Sequence, residues 1–283
     1  MKKLSFVKMH GTWNDFVVLY ENDIRDAWID VNVDFIQKIC NRNFWVGSDG
    51  LLVVSKSEVA DFKYNMYNPD GSEAEMCGNG IRCYMKYLLD NNLTDKNELV
   101  VETLIWNLDV SYNDGLFTVQ MGQPGKIPNL SYDNKKLGDR FPIKSADRDF
   151  VFIPVSMGNP HAVIFLQDTK LEDFDLEKYW KPIETDTEVF PNRTNVEFIS
   201  VVSETEIDMR VWERGAGETL ACGTWACASV VAWVLSGRLK ADEFVQVNLK
   251  WGTLWVSWSG DEKDTVVMKW WAETTFEWMY YLS

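Results

Sequence analysis

Basic residues are scarce in this chain. Lys and Arg number 28 against 43 Asp and Glu, a formal charge of −15 over 283 residues. Phosphate binding needs clustered cations, so a nucleic-acid partner is excluded, and the acidic excess reads as solubility. Long hydrophobic runs are missing too. Nothing reaches the roughly 18 apolar residues of a membrane span, and the N-terminal Met1-Lys2-Lys3-Leu4-Ser5-Phe6-Val7-Lys8 leads into a strand-like stretch without a signal-peptide core. Cysteine is sparse and odd in number, with five residues. That argues against a disulfide scaffold and for a reducing, cytoplasmic setting.

Those few cysteines are not scattered at random. Met76-Cys77-Gly78-Asn79-Gly80 and Ala221-Cys222-Gly223-Thr224-Trp225 are versions of one motif, each ahead of an apolar, helix-like stretch. A thiol at a helix start meets converging backbone N–H groups and the positive end of the helix dipole. It is therefore more acidic than a free thiol and suited to proton transfer. The two cysteines are 145 positions apart (222 − 77), and the same offset pairs Asn14 with Asn159, Gly50 with Asn195, Asn68 with Glu213, Glu73 with Glu218 and Gly78 with Gly223. A repeat this long implies two similar domains, not a solenoid. The expected division is residues 1–121 and 122–270, with the Pro- and Gly-containing stretch 122–128 as linker and about 271–283 able to return to the first domain.

Period and turn signals give strands near 4–9, 16–20, 51–54, 63–67 and 98–121, with helices over 34–42 and 79–90. The second half repeats the scheme, with strands near 151–156, 161–166, 196–201, 207–213, 244–258 and 265–269 and a helix over 225–236. The fold class is α/β. A metal site is not expected. Cys77 and Cys83 are six apart, Cys222 and Cys227 five apart, which on a helix is about 240° and 140° of rotation, so neither pair shares a face. Cys40, Cys83 and Cys227 read as packing residues. His10 and His161 lie beside Asn14 and Asn159 and are candidates for a site. Glu213-Arg214, at a strand end before a Gly-rich turn, is a candidate ligand contact.

Met9-His10-Gly11-x-x-Asn14-Asp15-Phe16, Asn68-x-Asp70-Gly71-Ser72-x-x-x-Met76-Cys77-Gly78-Asn79-Gly80-x-Arg82-Cys83, Gly158-Asn159-Pro160-His161 and Glu213-Arg214-Gly215-x-Gly217-Glu218-x-x-x-Cys222-Gly223-Thr224-x-Ala226-Cys227 resemble the diaminopimelate epimerases, from Met9 to about Trp278. The wider superfamily includes proline racemase-like enzymes, in which Cys-Gly-His-Gly is expected where Cys77-Gly78-Asn79-Gly80 stands. The resemblance implies two domains, each a curved, mostly antiparallel sheet around a central helix, with the site in the cleft between them. It implies a homodimer, with Phe276 in the contact region, and epimerisation of LL-2,6-diaminopimelate to the meso isomer without cofactor or metal, a step toward lysine and peptidoglycan precursors. Cys77 and Cys222 would exchange the roles of thiolate base and thiol acid, and His161 and Glu213 would tune them. Asn14, Gly50, Asn68, Gly78, Asn79, Asn159, Asn195, Glu213, Arg214, Gly223 and Thr224 would bind substrate, with Arg214 suited to the distal carboxylate. The alternatives are a racemase or epimerase of another amino acid, and a redox or metal-binding protein using the cysteine pairs.

Fourteen tryptophans are many for this length. Trp13, Trp45, Trp106, Trp180, Trp225, Trp233, Trp251, Trp270 and Trp278 stand where the resemblance expects glycine, whereas Trp212 and Trp258 fall where an aromatic belongs. The repeat itself aligns Trp225 with Gly80. A UGA codon read as glycine in the source and translated as tryptophan would produce this pattern.

Overall fold

A computed structural model describes residues 2–74, 77–133, 135–167, 169–212, 214, 223–237, 242–250 and 252–282. The chain forms two compact units, Met1–Val119 with Trp270–Ser283, and Gln120–Lys269.

The first unit is built from β1 (Lys2–Gly11), β2 (Asn14–Tyr20), β3 (Gly50–Ser55), β4 (Phe62–Tyr67), the short β5 (Glu73–Ala74), β6 (Glu98–Glu102), β7 (Asn107–Asn113) and β8 (Leu116–Gln120). Helices α1 (Glu21–Asp26) and α2 (Val33–Ile39) connect β2 to β3, and α3 (Gly78–Asp90) precedes β6. The second unit uses β9 (Phe141–Ser145), β10 (Arg148–Ser156), β11 (Pro160–Phe165), β12 (Asn195–Ser203), β13 (Glu206–Trp212), β14 (Val245–Leu249), β15 (Gly252–Ser257) and β16 (Val267–Trp270), with helices α4 (Leu176–Glu184) and α5 (Gly223–Leu235). The final strand β17 (Glu273–Leu282) pairs with β1.

The pairings coincide step by step. In the first unit β1 is antiparallel to β2, β2 parallel to β3, β3 antiparallel to β4, β4 parallel to β6 and β6 antiparallel to β7. In the second, β10 to β15 follow the same sequence of directions. β17 flanks β1 as β9 flanks β10. Register agrees as well. Phe16 faces Gly50 and His161 faces Asn195; Leu51 faces Tyr67 and Val196 faces Trp212, each pair 145 residues from its counterpart. Helices α3 and α5 each span 13 residues at that same offset. The hairpin is one residue longer in the second unit, since Gly11 pairs with Asn14 but Ser156 with Pro160.

The strand Leu51-Leu52-Val53-Val54 is buried on both faces, which is why it reads as an uninterrupted apolar run instead of alternating. In α5, Trp225–Trp233 are all buried, the pattern of a helix enclosed on every side. It packs on β10, β11, β12 and β15, as α3 packs on β1, β2, β3, β4 and β7. Sequence periodicity placed the first connecting helix over 34–42; the helix ends at Ile39, with Cys40 closing it. It also left out α1, α4, β9 and the length of β17. No helix among the described residues is long and apolar enough to cross a membrane.

Candidate active site

Cys77 is the N-cap of α3, with an extended backbone (φ −136°, ψ 119°), and its carbonyl accepts the Ile81 N–H at 2.9 Å. Its side chain does not cap the helix. The half-buried thiol instead points to Asn14 Oδ1 at 3.6 Å, an oxygen that also accepts the Asn79 amide at 3.2 Å. A sequence reading can find these three residues, because they fall in motifs; it did not single out Arg82, which fixes them. Arg82 is fully buried, donates to Asn79 Oδ1 at 2.9 Å and to the Gly78 carbonyl at 3.0 Å, and leaves its Nε without a partner. Burial lowers the guanidinium to about 10. The thiol at the helix start thus shares its surroundings with the dipole's positive end and a buried cation, both of which favour thiolate. Cys83, six residues along, is the contrast: burial pushes it up to about 12, so it stays a thiol. Burial raises Cys40 too.

Gly80 lies where α3 passes Tyr64; a Cβ there would stand 2.4 Å from the Tyr64 hydroxyl oxygen. Asn14 is anchored through Asp49, which accepts its amide at 3.1 Å. Arg42 grips Asp15 with two nitrogens, at 3.0 and 2.6 Å, and Asp49 at 2.7 Å. Lys8 sits 2.6 Å from Asp15. Burial opposes ionisation of Asp15, but the bonds from Arg42 and Lys8 outweigh it and hold the carboxyl well below the usual range. Gly50 opens β3 and Asn68 follows β4, so they end neighbouring strands. The Asn68 amide is turned to Ser72 Oγ at 3.0 Å.

In the second unit His161 is fully buried between two oxygens, Glu197 Oε1 at 2.7 Å from Nδ1 and Asn159 Oδ1 at 2.8 Å from Nε2. The Asn159 amide nitrogen donates to Thr224 Oγ1 at 3.5 Å, in the first turn of α5. Asn195 donates to the Pro160 carbonyl at 3.0 Å and accepts the Arg214 N–H at 2.9 Å. Arg214 is exposed and reaches the Asn192 carbonyl at 3.0 Å. Gly223 opens α5, and a Cβ on it would meet the Met268 sulfur at 2.8 Å. Cys222 and Glu213 lie outside the described residues. His10 stands apart from this pattern, 3.3 Å from Glu273 across the β1–β17 pair. Glu197 was the other residue missed; its signal was a charge at the repeat position of Leu52 (197 − 145).

In each unit an asparagine from a preceding hairpin meets the first turn of a helix, Asn14 at Asn79 and Asn159 at Thr224. The diaminopimelate epimerase family model covers residues 6–127 and 153–272. The chain belongs to that family. The diaminopimelate epimerase of Halothermothrix orenii is 44% identical over 270 residues, 90% of this chain and 91% of that one. That of Carboxydothermus hydrogenoformans is 43% identical over 99% of this chain and all of its own. That of Methanococcus maripaludis is 42% identical over 97% and 98%. Among solved structures, a PhzF-family phenazine biosynthesis protein of Bacillus anthracis superposes with a TM-score of 0.67 at 17% identity over the whole of both chains. A hydroxyproline epimerase of Agrobacterium vitis does so at 0.64 and 12%, covering 98% of this chain and 92% of that one. These two share the fold of the diaminopimelate epimerase family.

Proposed function

We propose that this chain is an isomerase that interconverts LL- and meso-2,6-diaminopimelate by two-base thiol chemistry, with Cys77 and Cys222 exchanging the parts of base and acid. The observation that carries this is the repeated helix start, in which a cysteine precedes Gly78-Asn79 in one unit and Gly223-Thr224 in the other at a fixed offset of 145 (223 − 78). One thiolate removes the α-proton, and the other thiol delivers a proton to the opposite face. The charge that develops needs donors already in place, and two helix N-termini supply N–H groups for the α-carboxylate. Asn14, Gly50, Asn68, Asn159 and Asn195 bind the substrate in this reading, His161 and Glu213 tune the thiols, and Arg214 takes the distal carboxylate.

The same proposal includes a cytoplasmic homodimer. Supporting it, β17 exposes Phe276, Met279 and Tyr281 along one strand, and a working thiolate needs reducing surroundings. Size-exclusion chromatography with light scattering tests the dimer.

The deciding assay is incubation of LL-diaminopimelate in deuterated water. The expected result is meso product carrying deuterium at one α-carbon, with Cys77→Ser and Cys222→Ser each slower by about 10²–10⁴-fold, the usual worth of a positioned proton-transfer group. Cys83→Ser keeps most of the rate. Exchange on proline or hydroxyproline but not on diaminopimelate would overturn the substrate in favour of a racemase of another amino acid.

A further inference from the structure

Because the two units repeat each other in register, the places where they differ in chemistry stand out. At the 145-residue offset Phe16 corresponds to His161 and Leu52 to Glu197 (161 − 16; 197 − 52). All four side chains are fully buried. The same backbone positions therefore carry a hydrocarbon pair in one unit and an acid–base pair in the other. A buried ionisable pair is often no more stabilising than apolar residues of similar volume, and the first unit demonstrates that this fold packs well without it. The pair is retained for something other than packing.

Its hydrogen bonds say what. The structure turns the Asn159 nitrogen to Thr224 Oγ1 at 3.5 Å and sets the Asn159 oxygen 2.8 Å from His161 Nε2. A carbonyl oxygen only accepts, so Nε2 must carry a hydrogen. On the other side Nδ1 lies 2.7 Å from a Glu197 oxygen, and a proton must occupy that short contact as well. A neutral imidazole with a carboxylate has one proton too few. The dyad is complete only as a net-neutral unit with one proton on Nε2 and one shared between Nδ1 and Glu197.

We propose that Glu197 is a positioning residue: by retaining that second proton it keeps His161 Nε2 a donor, and so locks the Asn159 amide with its NH₂ toward the first turn of α5, next in sequence to Cys222. The catalytic consequence rests on the proposed epimerase function; the proton assignment does not. Burial raises the Glu197 carboxyl against the lowering effect of His161, which favours a held proton over a free carboxylate. The surroundings supply no rival charge among the described residues. β10 sets Val155 opposite His161, and β13 sets Val211 opposite Glu197. Arg210 directs its guanidinium to the carbonyls of Leu171 and Phe174. Helix α5 bears Thr224, Ser229 and one titratable group, the buried Cys227. On α4, which also packs on β12, the buried Glu184 is paired with Arg193 and the remaining charged side chains are exposed or half-exposed.

The chain has two histidines, which makes the test direct. ¹⁵N-histidine labelling gives two imidazole spin systems, and His10→Gln assigns them. At about pH 8, well above the ordinary histidine value near 6.5, His161 Nε2 should still be protonated in the parent protein. In Glu197→Gln the side-chain amide can donate to Nδ1 in place of the held proton, so Nε2 should stay protonated and most of kcat/KM should remain. Glu197→Leu offers Nδ1 no donor, and kcat/KM should fall by about 10–100-fold, the range for removing a partner that orients a metal-bound histidine. An unprotonated Nε2 in the parent, or a loss in Glu197→Gln as large as that in Glu197→Leu, would overturn the proposal. If Glu197→Gln does not fold, the parent spectrum still decides. His161→Phe with Glu197→Leu, which rebuilds the first unit's apolar pair, should then fold and be inactive. No substrate enters the spectrum, so failure of the epimerase reading and failure of this one are separately visible.

Discussion

Two tryptophans hold backbone conformations that bulky residues avoid. Thr12 and Trp13 form a two-residue hairpin loop with φ of 56° and 63°, the geometry in which Asn-Gly and Asp-Gly are favoured. Trp28 has φ of 56° and is largely exposed, so it joins the nine as a tenth glycine-like position. Trp225, Trp233 and Trp270 are fully buried with indole N–H groups that find no partner, each costing about 1–3 kcal/mol. Trp258, at a position where an aromatic is expected, donates to the Asp264 carbonyl at 3.3 Å. Unsatisfied or strained tryptophans thus concentrate where glycine is expected; Trp251 lies outside the described residues. We propose on this ground that these positions are UGA codons read as glycine. The coding DNA should show UGA at Trp13, Trp28, Trp225, Trp233 and Trp270 and UGG at Trp212 and Trp258. Cavity formation ordinarily makes removal of a buried tryptophan cost about 3–5 kcal/mol, whereas the glycine reading makes Trp13→Gly with Trp225→Gly more active. UGG at those codons, tryptophan in mass spectra of the native protein, or a less active double variant would overturn it.

Between elements, the ion cluster joining β1, β2 and the start of β3 is what holds the Asn14 hairpin in place. Because the folded Asp15 carboxyl is depressed below its unfolded value near 3.9, its contribution is fully present above about pH 4. It is lost as pH falls toward the folded value. Asp15→Asn should therefore cost about 1–3 kcal/mol at neutral pH, the range for hydrogen bonds to a charged group. It should also flatten the loss of stability between about pH 4 and pH 2. Denaturant unfolding of both proteins across that range checks it, and parallel curves would show that the cluster contributes nothing. Why sequence reading found some elements and not others is visible at this scale. The helices α3 and α5 follow a motif and are strongly apolar, so they stood out. α4 starts at Asp175, whose side chain caps it through the Lys178 N–H at 3.2 Å, but Pro182 in its last turn masks the pattern. β9 contains Pro142, tolerated because among the described pairings it bonds only to β10, and such a proline argues against a strand until the edge is known. In the site, Cys77, Asn14 and Asn159 were legible as repeated polar motifs. Arg82 stood in a motif without a role and Glu197 in none, since composition cannot tell a buried charge from a solvated one; only the register against Leu52 marks Glu197.

At the level of the whole chain, one fold used twice gives two helix starts in unlike surroundings. Around Cys77 the buried cation Arg82 has no hydrogen bond to a carboxylate among the described residues. On the other half, beside α5, His161 is balanced by Glu197. A reaction that takes a proton from one face of a carbon and returns one to the other needs such inequality at any instant, one group ionised and one protonated. It also requires that both thiols serve the same carbon, and this can be tested without substrate. Two cysteines flanking a single atom come close enough to form a disulfide when that atom is absent, given Cα separations under about 7 Å. A mild oxidant such as diamide should then remove two electrons from the pair, form a Cys77–Cys222 bridge and stop turnover, and dithiothreitol should restore it. Cys40, Cys83 and Cys227 are buried, and burial raises the thiol pKa of the first two, so they should stay reduced under the same treatment. Saturating diaminopimelate should protect the activity by occupying the space between the sulfurs. A peptide map of the oxidised, inactive protein in which Cys77 and Cys222 carry separate sulfinic acids and no bridge would mean that the two thiols do not face one carbon, and the two-base reaction would fall with it.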